Sequence, residues 1–298
     1  MEDIARANGE MDLSTRYWNT FYCQEKLTSY LGRYYTSYCK NRWCTTCCGI
    51  RKAHILNQYY PIISKWEEPH LLTLSLKSVT AEQLNGRINE VVKILSRIID
   101  RCRKRHERGK GMKILCVKSL ECNFNATKRT YNPHYHFVTP NRQTAIYLMQ
   151  EWKKEWNKKI FQADGKGQHL RKIENVKRDM VEVIKYGAKI LSDPDPNHKK
   201  KRKKGDMIGL QIYANALHTI YKAMDKHRLY RSIGFKLPKK TTQSKNEPFR
   251  AASNSEQWLY KPKQMDWIST SSGKHFTEYE IDDYLDYILK TQIDRELC

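Results

Sequence analysis

The segment Asn132-Pro133-His134-Tyr135-His136-Phe137-Val138 restricts the architecture of this chain more than any other stretch. Its aromatic and β-branched residues favour an extended strand. Strand side chains alternate between the two faces of a sheet, so His134 and His136 share one face while Tyr135 and Phe137 share the other. Two neutral imidazoles side by side make half of a divalent-metal site. Taken alone, the pair is equally compatible with polar residues on a solvated sheet face.

The chain has 298 residues, enough for one large domain or two smaller ones. Its 55 Lys and Arg outnumber 32 Asp and Glu, giving a formal charge of +23. Such an excess attracts polyanions. Nucleic acid fits better than an anionic membrane surface, because 11% of the residues are aromatic and unpaired bases stack on such rings. No apolar run reaches the roughly 18 residues of a membrane-spanning helix. The N-terminus, with Glu2, Asp3 and Glu10, lacks the apolar core of a signal peptide. The expected location is the cytoplasm, where thiols stay reduced, so the nine cysteines point to metal ligation before disulfides.

Residues 1 to 20 read as a flexible N-terminus, 21 to 66 as a Cys-rich zinc module, 67 to 237 as the main domain, and 238 to 298 as a polar linker and acidic C-terminal helix. Lys52 to Trp66 predicts a short helix and Leu71 to Lys77 a strand. Thr80 and Gln83 form a capping box before Leu84, Ile88, Val91, Leu95, Ile98 and Ile99 at helical spacing. Met112 to Glu121 and Tyr135 to Thr139 read as paired strands joined by a polar turn, Asn123 to Asn132. Helices are expected over Thr144 to Ile160, from after Asp179 to Leu191, and over Ile212 to Leu229, with a strand at Leu170 to Val176. That order predicts an α+β fold, a central antiparallel sheet with flanking helices, preceded by the small Cys-rich module.

His134 and His136 need a third ligand, and a hairpin would bring Glu121 beside them. A His/His/carboxylate set with open positions suits Mg²⁺ or Mn²⁺ acting on phosphate, less often Zn²⁺. The bland alternative for Glu121 is a surface carboxylate at a strand end. Glu182, Tyr186 and Lys189 stand at i, i+4 and i+7, one face of a helix. A lysine one turn from a tyrosine lowers the cost of its phenolate. Glu182 could equally close a capping box opened by Asp179, and Lys189 could be a solvated charge. Cys39, Cys44 and Cys47 have the C-x4-C-x2-C spacing of a zinc site, with Cys48 adjacent and Cys23 available as fourth ligand. Buried free thiols are the alternative. The basic runs Arg101 to Lys110 and Lys199 to Lys204 are candidate phosphate contacts.

Together these motifs resemble the plasmid rolling-circle replication initiators of the Rep_1 type, in the HUH endonuclease superfamily. Carrying the resemblance are Cys39-Lys40-Asn41-Arg42-Trp43-Cys44 with Arg51-Lys52-Ala53, Leu71 to Lys77, Glu121 with Asn132-Pro133-His134-Tyr135-His136, and Glu182-Val183-Ile184-Lys185-Tyr186-Gly187-Ala188-Lys189. The resemblance implies a tyrosine helix above a histidine-bearing sheet. It implies that Tyr186 attacks single-stranded origin DNA, keeps a 5′-phosphotyrosine and frees a 3′-OH primer. Glu121, His134 and His136 would hold Mg²⁺ or Mn²⁺, Lys189 would neutralise the phosphate, and Glu182 would activate water for the terminating cleavage. A structural Zn²⁺ would sit on Cys23, Cys39, Cys44 and Cys47. Single-stranded and duplex origin DNA, a host polymerase and a helicase are the partners it brings in. An HUH transposase or mobilisation relaxase, or a non-enzymatic zinc-stabilised nucleic-acid-binding regulator, are the competing readings. Thr45 stands where the family often has a proline.

Overall fold

The strand around His134 becomes the middle of a five-stranded antiparallel sheet. The computed structural model describes residues 1–30, 33–157, 167–184, 207–237 and 256–276. In chain order the elements are α1 (Glu2–Ala7), α2 (Met11–Phe21), β1 (Lys26–Tyr30), β2 (Arg33–Thr36), α3 (Thr45–Ile63), β3 (His70–Ser75), α4 (Ala81–Glu107), β4 (Cys116–Asn125), β5 (Thr130–Thr139), α5 (Arg142–Asn157), β6 (His169–Lys172), α6 (Val176–Val183), α7 (Met207–Met224), β7 (Tyr230–Ile233), β8 (Glu256–Lys261) and β9 (Asp266–Ser269). They divide into two units, one of residues 54–237 and one combining 2–53 with 238–298. The α+β arrangement expected from the sequence is the one found.

In the larger unit the sheet order is β6-β3-β5-β4-β7. Leu72 and Leu74 of β3, Leu120 and Cys122 of β4, and Tyr135 and Phe137 of β5 share one face and are buried. Helices α4 and α5 pack on this sheet, and Trp152 of α5 meets the Tyr135 ring edge-on at 6.2 Å. The capping box of Thr80 and Gln83 opens α4 as expected. Its buried stripe is Leu84, Ile88, Val91, Ile94, Leu95, Ile98 and Cys102, whereas Ile99 is only half-buried. Burying one such aliphatic side chain contributes about 1.5–3 kcal/mol, so this stripe is a main attachment of α4.

Several boundaries differ from expectation. The β4–β5 ladder runs to Asn125 and Thr130, so the turn is shorter than predicted. The Phe124–Tyr131 ring pair at 4.9 Å stabilises that extension. Helix α6 begins at Val176, because Asn175 caps it by accepting from the Arg178 N–H. Asp179 therefore lies inside the helix, where it pairs with Arg171 at 2.7 Å. Helix α3 starts at Thr45, well before Lys52. Thr45 occupies the first helical position, where proline is well tolerated.

The smaller unit holds a four-stranded sheet of order β2-β1-β8-β9. Residues 2–7 and 11–21, polar in sequence, are helical, and Arg6–Glu2 and Arg16–Asp12 ion pairs run along them. The segment read as linker ends in the β8–β9 hairpin, which pairs with β1. Trp258 donates to Ser29 Oγ at 3.0 Å and Trp267 to the Gln24 carbonyl at 2.6 Å. The tail read as an acidic helix and the run Lys199 to Lys204 lie outside the described residues. Among the described residues, no helix is long and apolar enough to cross a membrane.

Candidate metal centres and nucleic-acid interface

The register of the central sheet decides which polar groups meet. Glu121 on β4 pairs directly with His134 on β5, and Ser119 with His136. On the other side, Thr73 of β3 pairs with His136. Period-two alternation then puts Thr73, Glu121, His134 and His136 on the face opposite Tyr135 and Phe137. Strand β3 stops at Ser75, opposite His134, so Pro133 lies beyond the β3 ladder. A residue without an N–H is tolerated there.

Glu121 Oε2 lies 3.8 Å from His134 Nε2 and 3.5 Å from His136 Nε2. The two imidazoles stand edge to face with centroids 4.8 Å apart. The His134 Nδ1 sits 3.0 Å from the Asn132 carbonyl, an acceptor only, so Nδ1 carries the hydrogen and Nε2 presents its lone pair. The His136 Nδ1 is 2.9 Å from Thr73 Oγ1, which holds the orientation of the ring. Burial holds the His134 imidazole below its usual pKa range, and His136 adds to that against the pull of Glu121. Neutral His134 is the form that binds a cation.

Glu121 Oε1 is buried without a hydrogen-bond partner among the described residues. A carboxylate with one buried oxygen unpartnered and the other facing the His134 lone pair is costly unless a cation joins them. The donor set of two imidazole nitrogens and one carboxylate thus fits a divalent ion such as Mg²⁺, Mn²⁺ or Zn²⁺.

The structure also gathers Cys23, Cys39, Cys44 and Cys47, with all four sulfurs within 4.8 Å of one another. Cys23 follows α2, Cys39 follows β2, and Cys44 and Cys47 flank the first turn of α3. Cys47 Sγ lies 3.6 Å from both Cys23 Sγ and Cys39 Sγ. That is far beyond a disulfide of about 2.05 Å. It is close to the roughly 3.8 Å that separates thiolates at 2.3 Å around a tetrahedral ion. Burial pushes the Cys47 thiol up to about 11 and Cys23 further still. Burial also raises Cys39, but the Asn41 N–H and the neighbouring thiols more than offset it, so Cys39 is lowered. Cys48 is not a member: its thiol donates to the Arg42 carbonyl at 2.7 Å.

Glu182 lies on α6, which packs on the histidine strand β5. It is the seventh helical residue, so the capping-box role considered for it does not hold. Tyr186 and Lys189 lie outside the described residues. Sequence reasoning missed Thr73 and the Asn132 carbonyl as supports for the histidines. Both sit in segments read as strand or turn, but only the pairing register connects them to the imidazoles.

The basic run on α4 is partly committed to the fold. Arg101 pairs with Glu151 at 2.8 Å and with Glu155, and Arg105 pairs with Glu151 at 3.2 Å. Glu151 is buried, and these cations hold its carboxyl below the usual range despite burial, which acts the other way. Lys104, Arg108 and Lys110 are exposed. Arg101→Ala is therefore expected to cost about 1–3 kcal/mol in urea titration with little change in DNA affinity. Neutralising Lys104, Arg108 and Lys110 together should leave stability intact and flatten the salt dependence of binding.

A His/His/Glu face and a four-sulfur cluster, each able to hold a metal ion, and a strongly basic sequence together define the class of this α+β protein. The sequence matches the Rep_1 family, described as a replication protein, over residues 31–279, and the chain belongs to that family. It is 26% identical over 140 residues to a "Protein rep" from Bacillus sp, covering 44% of each chain. It is 27% identical over 170 residues to one from Staphylococcus aureus, covering 52% of this chain and 71% of that one. A third, from Streptococcus pneumoniae serotype 2, is 26% identical over 140 residues, 43% of this chain and 42% of the relative. The matches thus span less than half of the Bacillus and streptococcal relatives. No solved structure matches.

Proposed function

We propose that the chain initiates rolling-circle replication of a plasmid by nicking and rejoining single-stranded origin DNA. The observation that carries this is the face of Glu121, His134 and His136, three donors aimed at one point and braced by Thr73 and Asn132, in a replication-family protein. Mg²⁺ or Mn²⁺ held there would supply positive charge to a phosphate oxygen of the scissile linkage. Tyr186 is the nucleophile by family resemblance. Its phenolic oxygen bonds to phosphorus as the P–O3′ bond breaks, leaving a 5′-phosphotyrosine and, after protonation, a free 3′-OH. Lys189 stabilises the phenolate. Glu182, without a capping duty, takes a proton from water in the terminating cleavage. The sulfur spacing of Cys23, Cys39, Cys44 and Cys47 supports a structural Zn²⁺. A host polymerase extends the 3′-OH, and a helicase is the further host partner expected.

The test is mass spectrometry after incubation with single-stranded origin DNA and Mn²⁺. The expected result is a DNA adduct on the peptide containing Tyr186, lost in Tyr186→Phe and in EDTA. A folded Tyr186→Phe protein that still forms the adduct overturns the assignment.

A further inference from the structure

The smaller unit carries an exposed aromatic cluster that neither metal centre uses. Trp18 is 53% exposed, Phe21 79% and Tyr22 40%, at the C-terminal end of α2. Their rings touch one another: Trp18 and Phe21 lie near-parallel at 6.5 Å, and Tyr22 meets each edge-on at 5.0 Å. Large exposed aromatics in contact are costly in water and mark a binding surface.

The charge beside the cluster indicates the occupant. Between Glu25 and Ala53, where this stretch of the smaller unit ends, there is no Asp or Glu, while Lys26 and Lys40 are exposed and Arg42 is half-buried. The loop with Lys40 and Arg42 is fastened to α2, because the Asn41 side chain donates to Thr20 Oγ1 at 2.8 Å and to the Arg16 carbonyl at 3.3 Å. Arg51 in turn donates to the Asn41 carbonyl at 3.1 Å. Exposed Lys40 therefore belongs to a loop anchored on the last two turns of the helix that carries the rings. Glu25 is the acid nearest in sequence, its N–H bonded to the Tyr22 carbonyl at 3.3 Å, and exposed aromatic rings with cations on the adjoining loop are what stacked bases with a phosphate backbone require. A hydrophobic protein partner would not need the cations.

We propose that Trp18, Phe21 and Tyr22 form a stacking platform for unpaired bases of single-stranded DNA, with Lys40 and its neighbours on the phosphates. Cys23 directly follows Tyr22, so the four-sulfur cluster fixes where the platform ends. This rests on the DNA-binding part of the proposed function and adds a holding site separate from the cleavage residues.

The experiment compares binding of labelled oligothymidylate and of an abasic deoxyribose-phosphate oligomer of equal length and charge. The intact protein should prefer the oligomer with bases. Trp18→Ala with Phe21→Ala should weaken oligothymidylate binding roughly ten-fold or more and leave the abasic oligomer unchanged, with Trp18→Phe restoring most of the loss. Ultraviolet crosslinking of iodouracil-substituted DNA to the intact protein should mark peptide 17–26, whatever the folding of the variants. Equal losses on both oligomers, no loss in folded variants, crosslinks absent from that peptide, or a dimer that dissociates in Trp18→Ala would each overturn the platform. Adduct formation at Tyr186 is read separately, so loss of the platform leaves the nicking proposal standing, and the reverse.

Discussion

Glu121→Gln is expected to stabilise the metal-free protein and, in the same molecule, to cripple the proposed cleavage. The two effects have opposite signs because the carboxylate is placed for a cation and for little else. Its Oε1 is buried without a hydrogen-bond partner among the described residues. Its Oε2 faces His134 Nε2, which presents a lone pair, at 3.8 Å. An amide of the same shape removes the buried charge, which is worth roughly 1 kcal/mol or more. Mn²⁺ at a hundred times its Kd should stabilise the intact protein by about 2.7 kcal/mol and the variant by far less. Cleavage should fall on the order of a thousand-fold, since the charge on the phosphate oxygen is lost. Thermal unfolding with EDTA and with Mn²⁺, beside a cleavage assay, reads all three. A variant less stable in EDTA that still responds to Mn²⁺ would mean Glu121 is only a structural carboxylate.

Much of this site was legible from local sequence because strand alternation is local. His134 and His136 share a face by parity alone, and Glu121 was placed by the expectation of a hairpin. Thr73 was not legible, since its contact with His136 depends on how β3 registers against β5 across 63 residues of chain. The α4 helix was legible from its capping box and apolar period, though Ile94 rather than Ile99 fills the core. The start of α6 was misread because Asp179 and Asn175 are both capping residue types, and the ion pair of Asp179 with Arg171 of β6 is a tertiary contact. The β8–β9 hairpin was missed for a related reason: Trp258, Leu259 and Tyr260 sit in a short stretch surrounded by polar sequence, and β8 is held by β1, more than two hundred residues earlier in the chain.

Removing the zinc proposed for the four-sulfur cluster is expected to unfold the smaller unit while the five-stranded sheet survives. Among the described residues, the buried apolar side chains of that unit are Ala5, Leu27, Trp258 and the cysteines Cys44, Cys47 and Cys48. So few cannot offset about 1–2 kcal/mol of backbone entropy for each ordered residue. The four sulfurs arrive from the end of α2, the end of β2 and the start of α3. An ion binding them ties three segments, and structural zinc contributes on the order of 10 kcal/mol of apparent binding free energy at neutral pH. Burial keeps the free thiols of Cys23 and Cys47 protonated at neutral pH. Zinc uptake must therefore expel protons, and affinity should fall as the pH is lowered. Chelation, or Cys39→Ser, should then expose the β1 and β8 amides to hydrogen exchange while β3, β4 and β5 stay protected. Co²⁺ in place of zinc should give thiolate charge-transfer absorption in the intact protein and lose it in the variant. If a chelator strips the metal and β1 and β8 remain protected, the cluster is not what holds the unit, and the hairpin of Trp258 and Trp267 would have to suffice.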